Sequence, residues 1–106
     1  MAKLNERTCQ SSIDGVSPLS ESDIEKMLDH IKGWSYKAER LCLSKVFKNH
    51  YQAMAFVNAV AWVSHTENHH PSITVGYKDV HIEYWTHDIN GISENDFICA
   101  AKVNEL

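Results

Sequence analysis

The sequence predicts an α+β fold whose elements run in the order α-β-β-α-β-β-α. Three observations carry this reading. Apolar residues recur at three- and four-residue spacing in separate stretches near 20–32, 49–69 and 93–103, the stripe of an amphipathic helix. Between them lie two runs, 34–47 and 73–84, in which apolar and polar residues alternate, the period of a strand with one buried face. Each run is interrupted by a short polar break, so each reads as two strands joined by a turn.

Residues 1–17 are polar and without periodicity, with Asp14-Gly15 as a turn signal. They read as a loosely ordered arm ahead of one domain over 18–106. Cys9 in that arm reads as incidental. Ser20 can cap the first helix, and Glu21 and Asp23 place negative charge at the positive end of its dipole. Ile24, Met27, Leu28 and Ile31 form its stripe, and Gly33 ends it. Trp34 and Tyr36 then alternate with polar residues, Lys37 to Arg40 makes the break, and Leu41, Leu43 and Phe47 resume the pattern. Trp34 fits either the core or the wall of an aromatic ligand pocket. Lys45 breaks the alternation and reads as a snorkelling or edge residue.

Asn49 caps the long helix, with Gln52 in the capping-box position. Ala53, Phe56, Val57, Val60 and Val63 make its core stripe. A second apolar face, Ala55, Ala59 and Trp62, lies on the other side, so this helix is expected to pack twice. A chain of 106 residues cannot bury both faces well, and a homodimer or homotetramer is expected. After Pro71, the residues Ile73, Val75 and Tyr77, a turn at Lys78-Asp79, and Val80, Ile82 and Tyr84 form a hairpin. His81, Glu83, Trp85 and His87 share its opposite face. His81 and Glu83 read as surface polarity, whereas His87 stands where the strand gives way to a loop. A turn at Asp88 to Gly91 follows. Ser93 caps the last helix, with Glu94 and Asp96 in its first turn and Phe97, Ile98, Ala101 and Val103 on its apolar side.

Composition bounds the function. A hydrophobic content of 43% with 23% charged residues fits a globular domain. The net charge of -4, with no basic cluster, argues against a direct nucleic-acid partner. Cys9, Cys42 and Cys99 are odd in number, far apart and in no metal-like spacing, which disfavours a disulfide framework or zinc ribbon and fits a reducing cytoplasm. Residues 1–15 hold no apolar run of a signal peptide, and no stretch approaches the roughly 18 apolar residues of a membrane span. The expected location is the cytoplasm, with no membrane partner.

The densest chemistry is His65-Thr66-Glu67-Asn68-His69-His70-Pro71, where three of the seven histidines fall together. If the helix persists to His69, then His65 and His69 stand one turn apart on one face. Pro71 disfavours helical geometry at His70, so the imidazoles end up at a helix terminus open to a small molecule. Imidazole can give and take a proton near neutral pH; a solvated helix end is the alternative. A zinc hydrolase could be built from His65, His69 and His87, but the order here is His-x-Glu-x-His and not His-Glu-x-x-His, and no metal is assigned.

Taken together, Gly33-Trp34, Phe47-Lys48-Asn49, His69-His70-Pro71, Thr86-His87-Asp88 and Gly91-Ile92-Ser93 with Asp96 resemble the pterin-4a-carbinolamine dehydratase family, also known for a dimerisation-cofactor role in transcription. The likeness spans about residues 20–104. It implies a four-stranded antiparallel sheet with three helices packed on one face. It also implies elimination of water from 4a-hydroxytetrahydropterin to give quinonoid dihydropterin, in support of tetrahydropterin recycling and hence a link to aromatic amino-acid hydroxylases. By resemblance the catalytic histidines are His69, His70 and His87, the substrate contacts include Trp34 and Asp96, and no metal or organic cofactor is needed. Expelling the 4a-hydroxyl requires a proton donor at that oxygen, and forming the new C=N bond requires a proton taken from the adjacent ring nitrogen. His65 stands where the family has an acidic residue four before the pair, and is assigned to the substrate site as a neighbour tuning His69. His50 stands where an aromatic residue is common. Two alternatives remain open: a pterin-binding or coactivator protein that needs no catalysis and works through the Trp62 face, and a role in molybdenum-cofactor metabolism.

Overall fold

The computed structural model describes residues 3–10 and 16–106; the turn expected at Asp14-Gly15 lies outside them. Ser20 Oγ accepts the Asp23 amide at 3.1 Å and starts α1, Glu21–Leu28. Regular helix ends there, short of the expected range, and the next residues form turns closed by amides of Ile31 and Trp34 on the carbonyls of Leu28 and Ile31. Ile31 stays buried in this irregular stretch, so the apolar stripe outlasts the helix. Gly33, at φ +88°, supplies the left-handed residue that sends the chain into the sheet.

Strands β1, Ser35–Lys37, and β2, Arg40–Val46, meet at Ala38 and Glu39. Both carry positive φ, 52° and 63°, the pattern of a two-residue hairpin turn matched to strand twist. β3, Ser72–Val75, and β4, Asp79–Tyr84, form the second hairpin. All pairings are antiparallel and the order across the sheet is β1-β2-β4-β3. In the centre Leu41 faces Tyr84 and Leu43 faces Ile82. These four and Val80 are buried on one face, each apolar side chain contributing about 1.5–3 kcal/mol by leaving water. Cys42, Ser44, His81 and Glu83 alternate onto the other face.

The helices cover only the apolar face, and the element order is the expected α-β-β-α-β-β-α. The long helix α2, His50–Glu67, is capped by Asn49 Oδ1 on the Gln52 amide at 2.8 Å. Only half of the expected capping box forms, because Gln52 Oε1 takes the Lys48 amide instead. Ala53, Phe56 and Val60 bury the stripe, Val57 and Val63 sit half-buried at its margins, and Lys45 Nζ lies 5.2 Å over the Phe56 ring. On the second face Trp62 is 68% exposed, and Tyr51, about three turns earlier on the same side of the helix, 83%. The helix does not reach His69. Asn68 adopts a left-handed conformation at φ 51°, its amide bonding His65 and Ser64 carbonyls, and the His69 amide returns to Ser64 O at 3.0 Å. This is a Schellman ending, which Asn tolerates nearly as well as Gly. His65 and His69 therefore share no helical face.

The last helix, α3, Glu94–Val103, is almost wholly buried between the sheet and the N-terminal segment. Within the stretch expected to be a loose arm, residues 3–10 have defined partners on α3. Lys102 Nζ donates to Asn5 O at 3.0 Å, Gln10 and Asn95 exchange two hydrogen bonds of 2.9 and 2.7 Å, and Arg7 pairs with Glu94. These partners lie far along the chain, which is why local periodicity gave no sign of them. Cys9 Sγ comes within 3.6 Å of the buried Cys99 Sγ. Among the described residues no helix is long and apolar enough to cross a membrane.

Candidate active site

A capping box organises the site. Asp96, three residues into α3, is fully buried, and its Oδ2 accepts the Ser93 amide at 2.9 Å and the Thr86 hydroxyl at 2.8 Å. Ser93 Oγ in turn shares a 2.6 Å hydrogen bond with Thr86 Oγ1. A carboxylate removed from water costs several kcal/mol unless hydrogen bonds replace its hydration, and here its second oxygen is held by an imidazole. His69 Nε2 lies 2.6 Å from Asp96 Oδ1, and the geometry has Nε2–H donating, which leaves Nδ1 as the ring's remaining polar atom.

The chain around these groups explains their placement. The Schellman turn at Asn68 throws His69 off α2 and over the end of β4. There its ring lies parallel to Tyr84 at 5.8 Å. Tyr84 is itself fixed, its hydroxyl 2.8 Å from Ser64 Oγ, and burial pushes its phenol pKa well above the usual value. Tyr84 is thus a neutral platform beneath His69. After β4 the chain bridges Thr86 to Gly91, turning His87 into a short 3₁₀ turn, His87–Ile89. The His87 ring stacks on Trp85 at 4.3 Å, and the Arg40 guanidinium covers Trp85 at 4.1 Å.

These groups border a cavity of about 610 Å³ whose wall includes His69, His70, His87, Thr86, Glu67 and Asp88. The arm closes part of it through Cys9 and Gln10, with the Cys9 amide bound to Glu67 Oε1 at 2.8 Å. Two other hollows of about 590 and 660 Å³ lie between the arm, α1 and α3. Size does not distinguish the three. The first holds Glu6, Arg7 and Glu94 and the second His30 alone of the histidines, so only the third gathers several imidazoles around a buried carboxylate.

Of the residues singled out from the sequence, His69, His70, His87 and Asp96 come together, Asp96 from behind His69. Trp34 and His65 do not join them. Trp34 is 7% exposed, packs tilted against Tyr84 at 6.0 Å and donates its indole N–H to Asn104 Oδ1 at 2.9 Å. His65 is exposed on α2 against Trp62. Thr86, Tyr84 and Glu67 entered without being foreseen. Thr86 had one legible signal, its place beside a Ser-x-x-Asp capping box that needed a second donor.

The fold is α+β, and its cavity gathers imidazoles around a buried, fully hydrogen-bonded carboxylate. The sequence profile described as pterin 4 alpha carbinolamine dehydratase matches residues 17–106, and the chain belongs to that family. It is 57% identical over 103 residues to a protein of Dechloromonas aromatica provisionally named a pterin-4-alpha-carbinolamine dehydratase, covering 97% of this chain and 92% of the relative. A relative of the same provisional name in Nitrosomonas eutropha is 52% identical over 97% of this chain and 92% of its own length. Among solved structures, a transcriptional coactivator/pterin dehydratase from Brucella melitensis superposes with a TM-score of 0.80 at 30% identity, over 84% of this chain and 97% of that one. A pterin dehydratase-like RuBisCO assembly factor of the alpha-carboxysome superposes with a TM-score of 0.56 at 26% identity, over 68% and 83%.

Proposed function

We propose that this protein is a cytoplasmic dehydratase that eliminates water from a 4a-hydroxytetrahydropterin to give quinonoid dihydropterin, returning the pterin used by aromatic amino-acid hydroxylases. The observation that carries the proposal is the Asp96–His69 pair at the cavity wall, 2.6 Å apart with the carboxylate wholly buried. A carboxylate so placed fixes the imidazole's tautomer and orientation and accommodates the charge when the ring takes a proton. In the elimination one imidazolium protonates the departing 4a-hydroxyl, the C–O bond breaks, and a second imidazole removes the proton from the adjacent ring nitrogen as the C=N bond forms. The products are water and the quinonoid pterin, with no net oxidation. His69 is held on one side by Asp96 and below by Tyr84, while His87, exposed on its Trp85 shelf, supplies the partner group. His70 contacts the substrate from the loop side. The family match and the relatives' names support the substrate class. The test is dehydration of freshly generated carbinolamine, measured against the spontaneous reaction. An excess rate proportional to protein concentration supports the reading, and a rate equal to background overturns it.

The exposed face of α2 supports a second part of the proposal, that the chain works as a homodimer or homotetramer. Trp62 and Tyr51 are 68% and 83% exposed beside Ala55, an apolar patch of the kind that marks an interface. Sedimentation at micromolar protein is expected to show a species at least twice the 12.1 kDa chain, and Trp62→Glu to shift it toward monomer. A wild-type protein sedimenting only as the single chain would remove this part.

A further inference from the structure

The face of the sheet turned away from the helices carries a second cluster that the dehydration chemistry does not use. Cys42 on β2 stands directly opposite Glu83 on β4, and Ser44 opposite His81, in the register of the two central strands. Because side chains alternate along a strand, all four project from the same face. Cys42 Sγ lies 3.8 Å from Glu83 Oε2, His81 Nε2 lies 3.4 Å from the same oxygen, and one ligand atom from each of the three residues falls within 4.8 Å of the others. We propose that Cys42, His81 and Glu83 form a binding site for a zinc-class divalent cation on the open face of the sheet.

The spacing fits that class of ion. Bond lengths of about 2.3 Å to sulfur and about 2.0–2.2 Å to nitrogen and oxygen, arranged tetrahedrally, put ligand atoms roughly 3.3–3.6 Å apart. The separations from Glu83 Oε2, 3.8 Å to Cys42 Sγ and 3.4 Å to His81 Nε2, are at or near that spacing, and the thiol and imidazole, within 4.8 Å of each other, close on the ion by side-chain rotation. The donor set is mixed in softness: a thiolate and an imidazole suit zinc better than magnesium or calcium, which prefer oxygen alone. A second observation stands apart from the ligand distances. His81 Nδ1 is 2.7 Å from Ser44 Oγ, and a metal-binding histidine characteristically donates its other ring N–H to a neighbouring acceptor, which fixes the ring and turns the free lone pair toward the ion. Ser44 does this for Nε2. Among the described residues Glu83 pairs with no lysine or arginine, His81 being its one ion-pair partner. Arg40, on the same face, has its guanidinium over Trp85.

Three protein ligands leave a fourth position for water or for a donor from another molecule. A hydrolytic triad of Ser44, His81 and Glu83 is the competing reading of these side chains. Its polarity is the reverse of the usual triad, in which the serine meets Nε2 and the acid Nδ1: here Ser44 meets Nδ1 and Glu83 meets Nε2. The cluster escapes sequence motifs because 39 or more residues separate Cys42 from its partners, and only the β2–β4 register unites them.

The test uses the full chain, reduced and freed of metal, titrated with cobalt(II) as a spectroscopic probe and then with zinc(II). The expected result is one cobalt(II) per chain with tetrahedral visible bands and a thiolate-to-metal charge-transfer band, both abolished by one equivalent of zinc(II). Cys42→Ser should remove the charge-transfer band. His81→Ala and Glu83→Gln should each weaken zinc(II) binding at least about tenfold, and Ser44→Ala, a positioning change, by about 10- to 100-fold. The double variant Cys9→Ser with Cys99→Ser should bind as wild type, and dehydratase activity should be unchanged in Cys42→Ser. Absence of one-to-one binding, or a charge-transfer band that survives Cys42→Ser and disappears in the Cys9 and Cys99 double variant, would overturn the assignment. Because the readout is metal binding, its failure leaves the dehydratase reading untouched.

Discussion

His69→Ala is expected to lower the excess rate of carbinolamine dehydration by about 10² to 10⁴-fold, the contribution typical of one positioned acid or base, with the folded structure retained. The rate effect is large because His69 is the one imidazole of the cavity fixed from two sides, by Asp96 at 2.6 Å and by the Tyr84 ring at 5.8 Å. Its side chain is 11% exposed and lines the cavity, so truncation enlarges that cavity and leaves no closed void. The cost to the fold falls on Asp96 Oδ1, which water entering from the cavity can solvate. His87→Ala should lose rate on a similar scale, since it removes the second proton-transfer group and leaves the Trp85 shelf. His65→Ala should leave the rate within about twofold, because its ring is exposed against Trp62 outside the cavity; an effect of this size lies well below what a positioned acid or base contributes. The measurement is kcat and KM for each variant over background, with thermal unfolding to confirm the fold. Wild-type excess rates in both His69→Ala and His87→Ala would remove histidine acid–base catalysis from the account.

How far the sequence could carry this picture depended on whether the deciding interaction was local. Ser20, Asn49 and Ser93 were legible as caps because a cap bonds an amide only three residues away. Alternation was legible in β2 and β4 because one face of the sheet is buried and the other is not. The end of α2 was not, because Val63 and the histidines that follow continue a helical pattern and only the left-handed Asn68 breaks it. Asn is common in helices as well as after them, so the residue type alone does not announce the break. The turn at Ala38 and Glu39 was legible in place, from the charged break at Lys37 to Arg40, but not in type, since its two positive φ values are ones usually supplied by Asn or Gly. Trp34 could be assigned to core or pocket only by finding its indole partner, Asn104, 70 positions away. The four residues that meet at the cavity were named through motif resemblance. What no pattern supplied was the rest of the support around them: Tyr84 under His69, and the arm bonded to Glu67 through Cys9.

Asp96→Asn should separate catalysis from folding at the same residue. The amide matches the carboxyl group in size, and with its oxygen on the Ser93 amide and the Thr86 hydroxyl it keeps the helix cap. Its NH₂ group then faces His69 Nε2, which must accept where it formerly donated. The imidazole is driven into the other tautomer, with Nδ1 carrying the proton, and the atom left for substrate becomes a donor where a base was needed. Loss of rate by this route should approach the 10⁴-fold scale known when a carboxylate orienting a catalytic histidine is replaced by its amide, while stability falls by about 1–2 kcal/mol. Asp96→Ala should lose both. It leaves the Ser93 amide and the Thr86 hydroxyl without their acceptor in a buried site, at about 1–3 kcal/mol for each unsatisfied group, and it removes half of the capping box. Denaturant unfolding and steady-state kinetics on the two variants read the two costs independently. A folded Asp96→Asn protein with wild-type kcat and an unchanged pH–rate profile would make Asp96 a helix cap alone, and the acid–base role of His69 would then have to rest on the cavity-facing groups without it.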